Sequence, residues 1–212
     1  MSALALTRAQ IAGASGRWLV WLPAVWLAAP LLALVALPPI DPDPAQQSRP
    51  LEQLSTMALV LSVSHMCWVL GDAASWVSAA SPRGAHQDRA VRALGLTAIG
   101  GLAVVASSPA MPDGVGVTHT LGVWETMFGL GLAGTALWGR VAASVLPALL
   151  VGVSTLGGSA LWPWNALFNP DARVSAGVLA VVSLGCGAAL FVSRGEAAAR
   201  REALGGGAGA DH

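Results

Sequence analysis

The chain contains no lysine and no tyrosine in 212 residues. Without lysine there is no Gly-Lys-Ser/Thr loop to cradle phosphates and no amine for a Schiff base with retinal or pyridoxal phosphate. The chain by itself is therefore not an ATPase of the usual kind. Charge is scarce too: Asp, Glu and Arg make up 10% of the residues, and the net charge is zero. With no basic field and no zinc-finger, helix-turn-helix or aromatic RNA-binding signature, nucleic acid is excluded as a partner. Only two cysteines occur, Cys67 and Cys186, both inside apolar runs. They make no disulfide framework and read as small buried hydrophobes.

What is abundant is apolar. A chain that is 55% hydrophobic lies outside the range of soluble domains and inside that of multi-span membrane proteins. The expected fold is all-α, a polytopic transmembrane bundle of six helices, because about 20 apolar residues cross ~30 Å of hydrocarbon at ~1.5 Å per residue. The first run is Trp18–Leu37. It exceeds the roughly 7–15 residues of a signal-peptide core, and Pro38-Pro39 follows where a small-residue cleavage site would be wanted, so it reads as a retained span. A proline-rich loop, Ile40–Pro50, precedes the second run, Leu54–Ala80. The remaining runs are Ala93–Ala110, Val117–Trp138, Val141–Trp162 and Val174–Ser193. Only Gly139-Arg140 separates the fourth from the fifth, which predicts a tight antiparallel hairpin. Trp162–Asp171 is an aromatic loop suited to the headgroup layer. Residues 1–17 read as a cytoplasmic amphipathic segment, 18–193 as the transmembrane domain and 194–212 as a flexible cytoplasmic tail.

Arginine sets the orientation. Arg8, Arg17, Arg83, Arg89, Arg92, Arg140, Arg194, Arg200 and Arg201 fall on one side of this topology, and only Arg49 and Arg173 on the other. By the positive-inside rule both termini are cytoplasmic. Small residues recur at helix-packing spacing, as Gly129 with Ala133, Ser154 with Gly158 and Ser183 with Gly187, which predicts a compact bundle.

Two acids, Asp72 and Glu125, fall within spans, where a charge costs roughly 2.5–3.5 kcal/mol on insertion scales and so needs a reason. Glu125 lies about eight residues in from the outer end, or ~12 Å, near mid-bilayer. Asp72 lies toward the cytoplasmic end, within reach of water or a basic-loop arginine, and reads as either a structural partner or a site residue. His65, Trp68, Asp72 and Trp76 share one helical face at i, i+3, i+7 and i+11, which must look into the bundle or at a partner chain. His65, Trp68, Asp72 and Glu125 thus form a candidate substrate pathway. No metal is expected, because the consecutive His65, Met66 and Cys67 point in different directions and His119 belongs near the outer boundary. Ser81 to Arg92 reads as a basic cytoplasmic loop, with Arg83, Arg89 and Arg92 as candidate partner-docking residues.

Several of these features resemble small six-span, permease-like proteins of GC-rich, actinomycete-type bacteria, related to ABC-2-type exporters. They are Ser81-Pro82-Arg83 with Arg89 and Arg92, Leu121-Gly122, Gly139-Arg140 leading to Leu146-Pro147, and Trp162-Pro163-Trp164-Asn165. They cover about half the chain; the family often shows Arg-Asn where this chain has His119-Thr120, and hydrophobic residues where it has Glu125. The resemblance implies a multi-pass permease of the bacterial cell membrane, without cofactor, paired with itself or a sister permease and driven by a separate ABC ATP-binding subunit. It also implies that residues 1–16 and 81–92 meet that subunit. Two other readings stand beside it. One is a terpene-cyclase-like membrane enzyme, in which Glu125 or Asp72 protonates a lipid-soluble substrate and Trp68, Trp76 and Trp124 stabilise cations through their ring faces. The other is a non-catalytic immunity or assembly factor, which would tolerate loss of both acids.

Overall fold

The computed structural model describes residues 50–70, 82–107, 116–156, 165–167, 169 and 173–197. Among these, all regular structure is helical: α1 (Pro50–Val69), α2 (Pro82–Ser107), α3 (Val117–Leu137), α4 (Arg140–Leu156) and α5 (Arg173–Arg194). The apolar run Trp18–Leu37, residues 71–80 with Asp72 and Trp76, and the tail beyond residue 197 lie outside the described residues. The fourth, fifth and sixth apolar runs begin within a residue of α3, α4 and α5. The segment taken for a basic loop is instead the start of α2, which begins at Pro82 and runs through Arg92. Proline is suited to that first position, since its missing N–H would have no helical partner and its φ is already set.

The bundle is organised around α3, which packs against all four other helices, while α1 also meets α4 and α2 also meets α5. Glycines on α3 are what admit so many neighbours. A Cβ at Gly129 would overlap the backbone of Ser183 and Leu184 on α5, and one at Gly131 would meet Cys67 Sγ of α1. A Cβ at Gly134 would meet Leu146 and Ala143 of α4. Toward α2 the relation reverses: Trp124 of α3 fills the space left open by Gly100. Such small residues let helix backbones approach to direct contact. Trp124 and Phe128, both fully buried, stack with ring centroids 5.1 Å apart.

These contacts also give direction. Gly122 lies 3.6 Å, measured from a built Cβ, from the Ala176 carbonyl oxygen, and Gly129 meets Ser183 at the same sequence offset, so α3 and α5 run parallel. Gly100 and Gly101 of α2 meet Trp124 and Leu121 in reversed order, so α2 is antiparallel to both. The turn from α3 to α4 is as tight as expected. Gly139 adopts φ 97°, and the N–H groups of Trp138 and Gly139 return to the carbonyls of Gly134 and Thr135. Pro147 sits inside α4 without ending it, and in the turn before it Ser64 of α1 donates a 2.6 Å hydrogen bond to the Ser144 carbonyl. The alternating directions bring Arg83, Arg89, Arg92, Arg140 and Arg194 to one end of the bundle and Arg173 to the other. Two helical stretches among the described residues, Ala85–Ser107 and Val174–Arg194, are long and apolar enough to cross a membrane.

Candidate functional site

Glu125 is half-buried on α3. At ~100° per residue it falls between Leu121, which lies against Gly101 of α2, and Gly122, which lies against Ala176 of α5. Its side chain therefore leaves α3 on the flank bracketed by α2 and α5. No hydrogen bond or ion pair from the described residues reaches its carboxyl.

The other pathway residues are elsewhere. The bundle-facing side of α1 is Val63, Met66 and Cys67, all fully buried, whereas Trp68 is 37% exposed and His65 half-buried. The stripe of His65 and Trp68 thus turns away from α3, and α1 covers a different flank of α3 from the one bearing Glu125. Trp68 belongs to the basic end, where the Arg140 guanidinium lies 5.7 Å from its ring centroid. Asp72 lies outside the described residues. Trp124, offered above as a ring face for a cationic intermediate, is sealed between Met66, Gly100 and Phe128.

The basic end is a clamp. Glu196, buried just past α5, accepts a hydrogen bond from the Arg140 backbone N–H (3.4 Å) and lies 3.7 Å from Arg140 Nε. A carboxylate at the first residue of α4 is favourably placed against the helix dipole. Arg89 of α2 does the complementary thing at the C-terminus of α5, donating to the Val192 carbonyl at 3.4 Å. There the chain turns at Gly195 with φ 68°, and a Cβ would come within 2.6 Å of Arg89 Cζ. Arg92 pairs with Asp88 one turn earlier on its own helix, at 2.6 Å. Of the three docking candidates, Arg89 and Arg92 are thus engaged within the bundle, and Arg83 stands in the first turn of α2.

The opposite end is fastened by two hydrogen bonds between the aromatic loop and the helices α3 and α4. His119 Nε2 bonds the Leu167 carbonyl at 3.1 Å, which requires the proton on that nitrogen, and Asn165 Nδ2 donates to the Ser154 carbonyl at 3.1 Å. Sequence reasoning missed Glu196, which looked like part of a solvated tail. Its partner is 56 residues away, and only the Gly195 just before it, a helix-stop residue, hinted that the chain turns back there. Compared with known proteins, the chain matches no family model, no curated protein and no solved structure.

Proposed function

We propose that this chain is a multi-pass protein of the bacterial cell membrane and the permease subunit of an exporter driven by a separate ATP-binding subunit, acting as a homodimer or beside a sister permease. The observation that carries the membrane part is an inverted distribution of polarity. Leu94 and Leu102 on α2, Val145, Leu149 and Val153 on α4, and Val174, Val178 and Val181 on α5 are exposed, while the central helix carries His119, Thr120, Thr126 and Thr135 buried. Within an 18-residue apolar window of each membrane-length stretch only 22% of the residues are buried inside the fold, whereas the core helix of a soluble protein is mostly buried. The exporter part is supported by three things: the resemblance of the motifs above, the absence of any phosphate-binding loop from the sequence, and a half-buried carboxylate, between the sides of α3 that face α2 and α5, that meets no partner among the described residues.

Cys186 tests the membrane part directly. It is exposed on α5, whereas Cys67 is sealed beneath Gly131. In intact membranes a water-soluble, impermeant maleimide should leave both thiols unmodified, and both should react after denaturation in dodecyl sulfate. Rapid modification of Cys186 in intact membranes would remove the bilayer from this reading.

The docking residues test the exporter part by co-expression with candidate ABC ATP-binding proteins. Arg83→Glu should reduce capture of that subunit while leaving the permease at normal abundance. Arg89→Ala should instead lower abundance first, because it removes a cation from the α5 C-terminus, an interaction worth about 1–2 kcal/mol in such partly buried settings. Failure of the unaltered chain to capture any ATP-binding subunit counts against the exporter.

A further inference from the structure

We propose that the seam beside Glu125 binds a lipid-soluble organic cation, admitted sideways between α2 and α5. The inference rests on the membrane reading above and gives the pathway a class of cargo.

Among the acids whose side chains are described, Asp88 faces Arg92 and Glu196 faces Arg140. Glu125 meets no cation among the described residues. Among the arginines whose side chains are described, Arg89, Arg92 and Arg140 are held at the basic end by Val192, Asp88 and Glu196, and Arg194 ends α5 there. Arg92, the nearest along α2, lies eight residues below Gly100, or about 12 Å of helix. An uncompensated carboxylate in an apolar setting is costly, so a positive ligand that reaches it is strongly favoured over a neutral or negative one.

The walls of the seam narrow the ligand further. The register set by Gly101 with Leu121 and by Gly122 with Ala176 places Thr97 and Gly101 on the α2 side of Glu125, and Gly177 and Val181 on the α5 side. The Thr97 hydroxyl is already spent on the Ala93 carbonyl at 2.7 Å, and around Gly177 no atom lies within 4 Å of a built Cβ. No wall residue offers a donor to an anion or to a neutral polar cargo. Facing away from the bundle, Leu94 on α2 and Val178 on α5 border these walls, and both are exposed. The complementary molecule therefore has one positive charge for Glu125 and an apolar body for that border. At the basic end Arg89 bridges α2 to α5, so among the described residues the seam is closed on that side.

The test uses the full chain in lipid nanodiscs with tetraphenylphosphonium and its isosteric anion, tetraphenylborate. The cation should bind saturably above empty nanodiscs and the anion should not. Glu125→Gln should weaken the cation at least about tenfold, which is ~1.4 kcal/mol, while Glu125→Asp keeps part of the affinity. A second arm needs no variant: tetraphenylphosphonium should slow modification of Glu125 by dicyclohexylcarbodiimide in the unaltered protein, read by peptide mass. Equal cation affinity in the wild type and Glu125→Gln, binding of the anion as tight as the cation, or unprotected carbodiimide modification each overturns the proposal. Cation binding without capture of an ATP-binding subunit removes the ATP-driven exporter and leaves this site standing. Capture of that subunit by a chain that binds no cation does the reverse.

Discussion

Gly129→Ala should destabilise the bundle by about 3 kcal/mol or more, while Gly185→Ala, on the helix that Gly129 packs against, should be neutral or stabilising by up to ~1 kcal/mol. The two substitutions add the same methyl group, and both improve helix propensity by a similar amount. They differ in what the methyl meets. At Gly129 it would overlap the Ser183 carbonyl group and the Leu184 nitrogen, whereas at Gly185 nothing lies within 4 Å. Overpacking usually costs ~1–3 kcal/mol, because a flexible side chain can yield. Here the opposing atoms are backbone, so α3 and α5 must separate as whole helices and lose contact along their length. Gly187→Ala strains the same contact from the other side, since its methyl would strike the Gly129 carbonyl. The double substitution should therefore cost less than the two singles added together. Reversible unfolding in mixed micelles, followed by helicity, measures all four variants. Equal stability of the Gly129→Ala and Gly185→Ala variants would mean that α3 and α5 are not in backbone contact.

Trp124→Ala should cost about 3–5 kcal/mol, the range for emptying a fully buried indole site. Trp124→Phe should cost much less than that. The shorter ring still covers most of the space and keeps a stacking partner in Phe128, and it removes an indole N–H that is buried with no acceptor. The sharper result concerns Gly100. Its missing side chain is the space occupied by the far edge of the Trp124 ring, with Met66 Cε beside it. Gly100→Ala alone should destabilise by roughly 1–3 kcal/mol. Combined with Trp124→Phe, which withdraws the atoms that collide, it should recover most of that loss, giving a favourable coupling of at least ~1 kcal/mol in a double-mutant cycle. Additive costs would show that ring and glycine do not share one space.

The helices were largely legible, and for particular reasons. The starts of α3, α4 and α5 follow from Gly116 before an apolar run, from the lone Gly139 and from the end of the proline-bearing aromatic loop, all local signals. The small-residue pairs Gly129 with Ala133 and Ser183 with Gly187 were visible in the same way, and Gly129, Ser183 and Gly187 turn out to face one another. The start of α2 was misjudged because its first turns carry Arg83, His86, Asp88, Arg89 and Arg92, a run whose polarity reads as a solvated loop. Those residues are helical because they are used at the helix ends: Asp88 holds Arg92, and Arg89 reaches the terminus of α5. The candidate site was legible as a residue, Glu125, but not as a neighbourhood. The stripe of His65 and Trp68 obeys helical spacing equally well whether it faces inward or outward, and spacing alone does not choose.

Composition and the length of the apolar runs by themselves determined that the regular structure of the described residues is helical, how those helices alternate and at which end Arg89, Arg92, Arg140 and Arg194 gather. Each of those properties is set residue by residue, by backbone hydrogen bonding and by the energy of placing a side chain in or out of hydrocarbon. Only the tertiary structure decided that, among the described helices, α3 is the central one, that Trp68 belongs with Arg140 rather than with Glu125, and that Glu125 lies between the sides of α3 that face α2 and α5. The rotation of a helix about its own axis is fixed by which of its small residues meets which neighbour, and that contact joins positions dozens of residues apart.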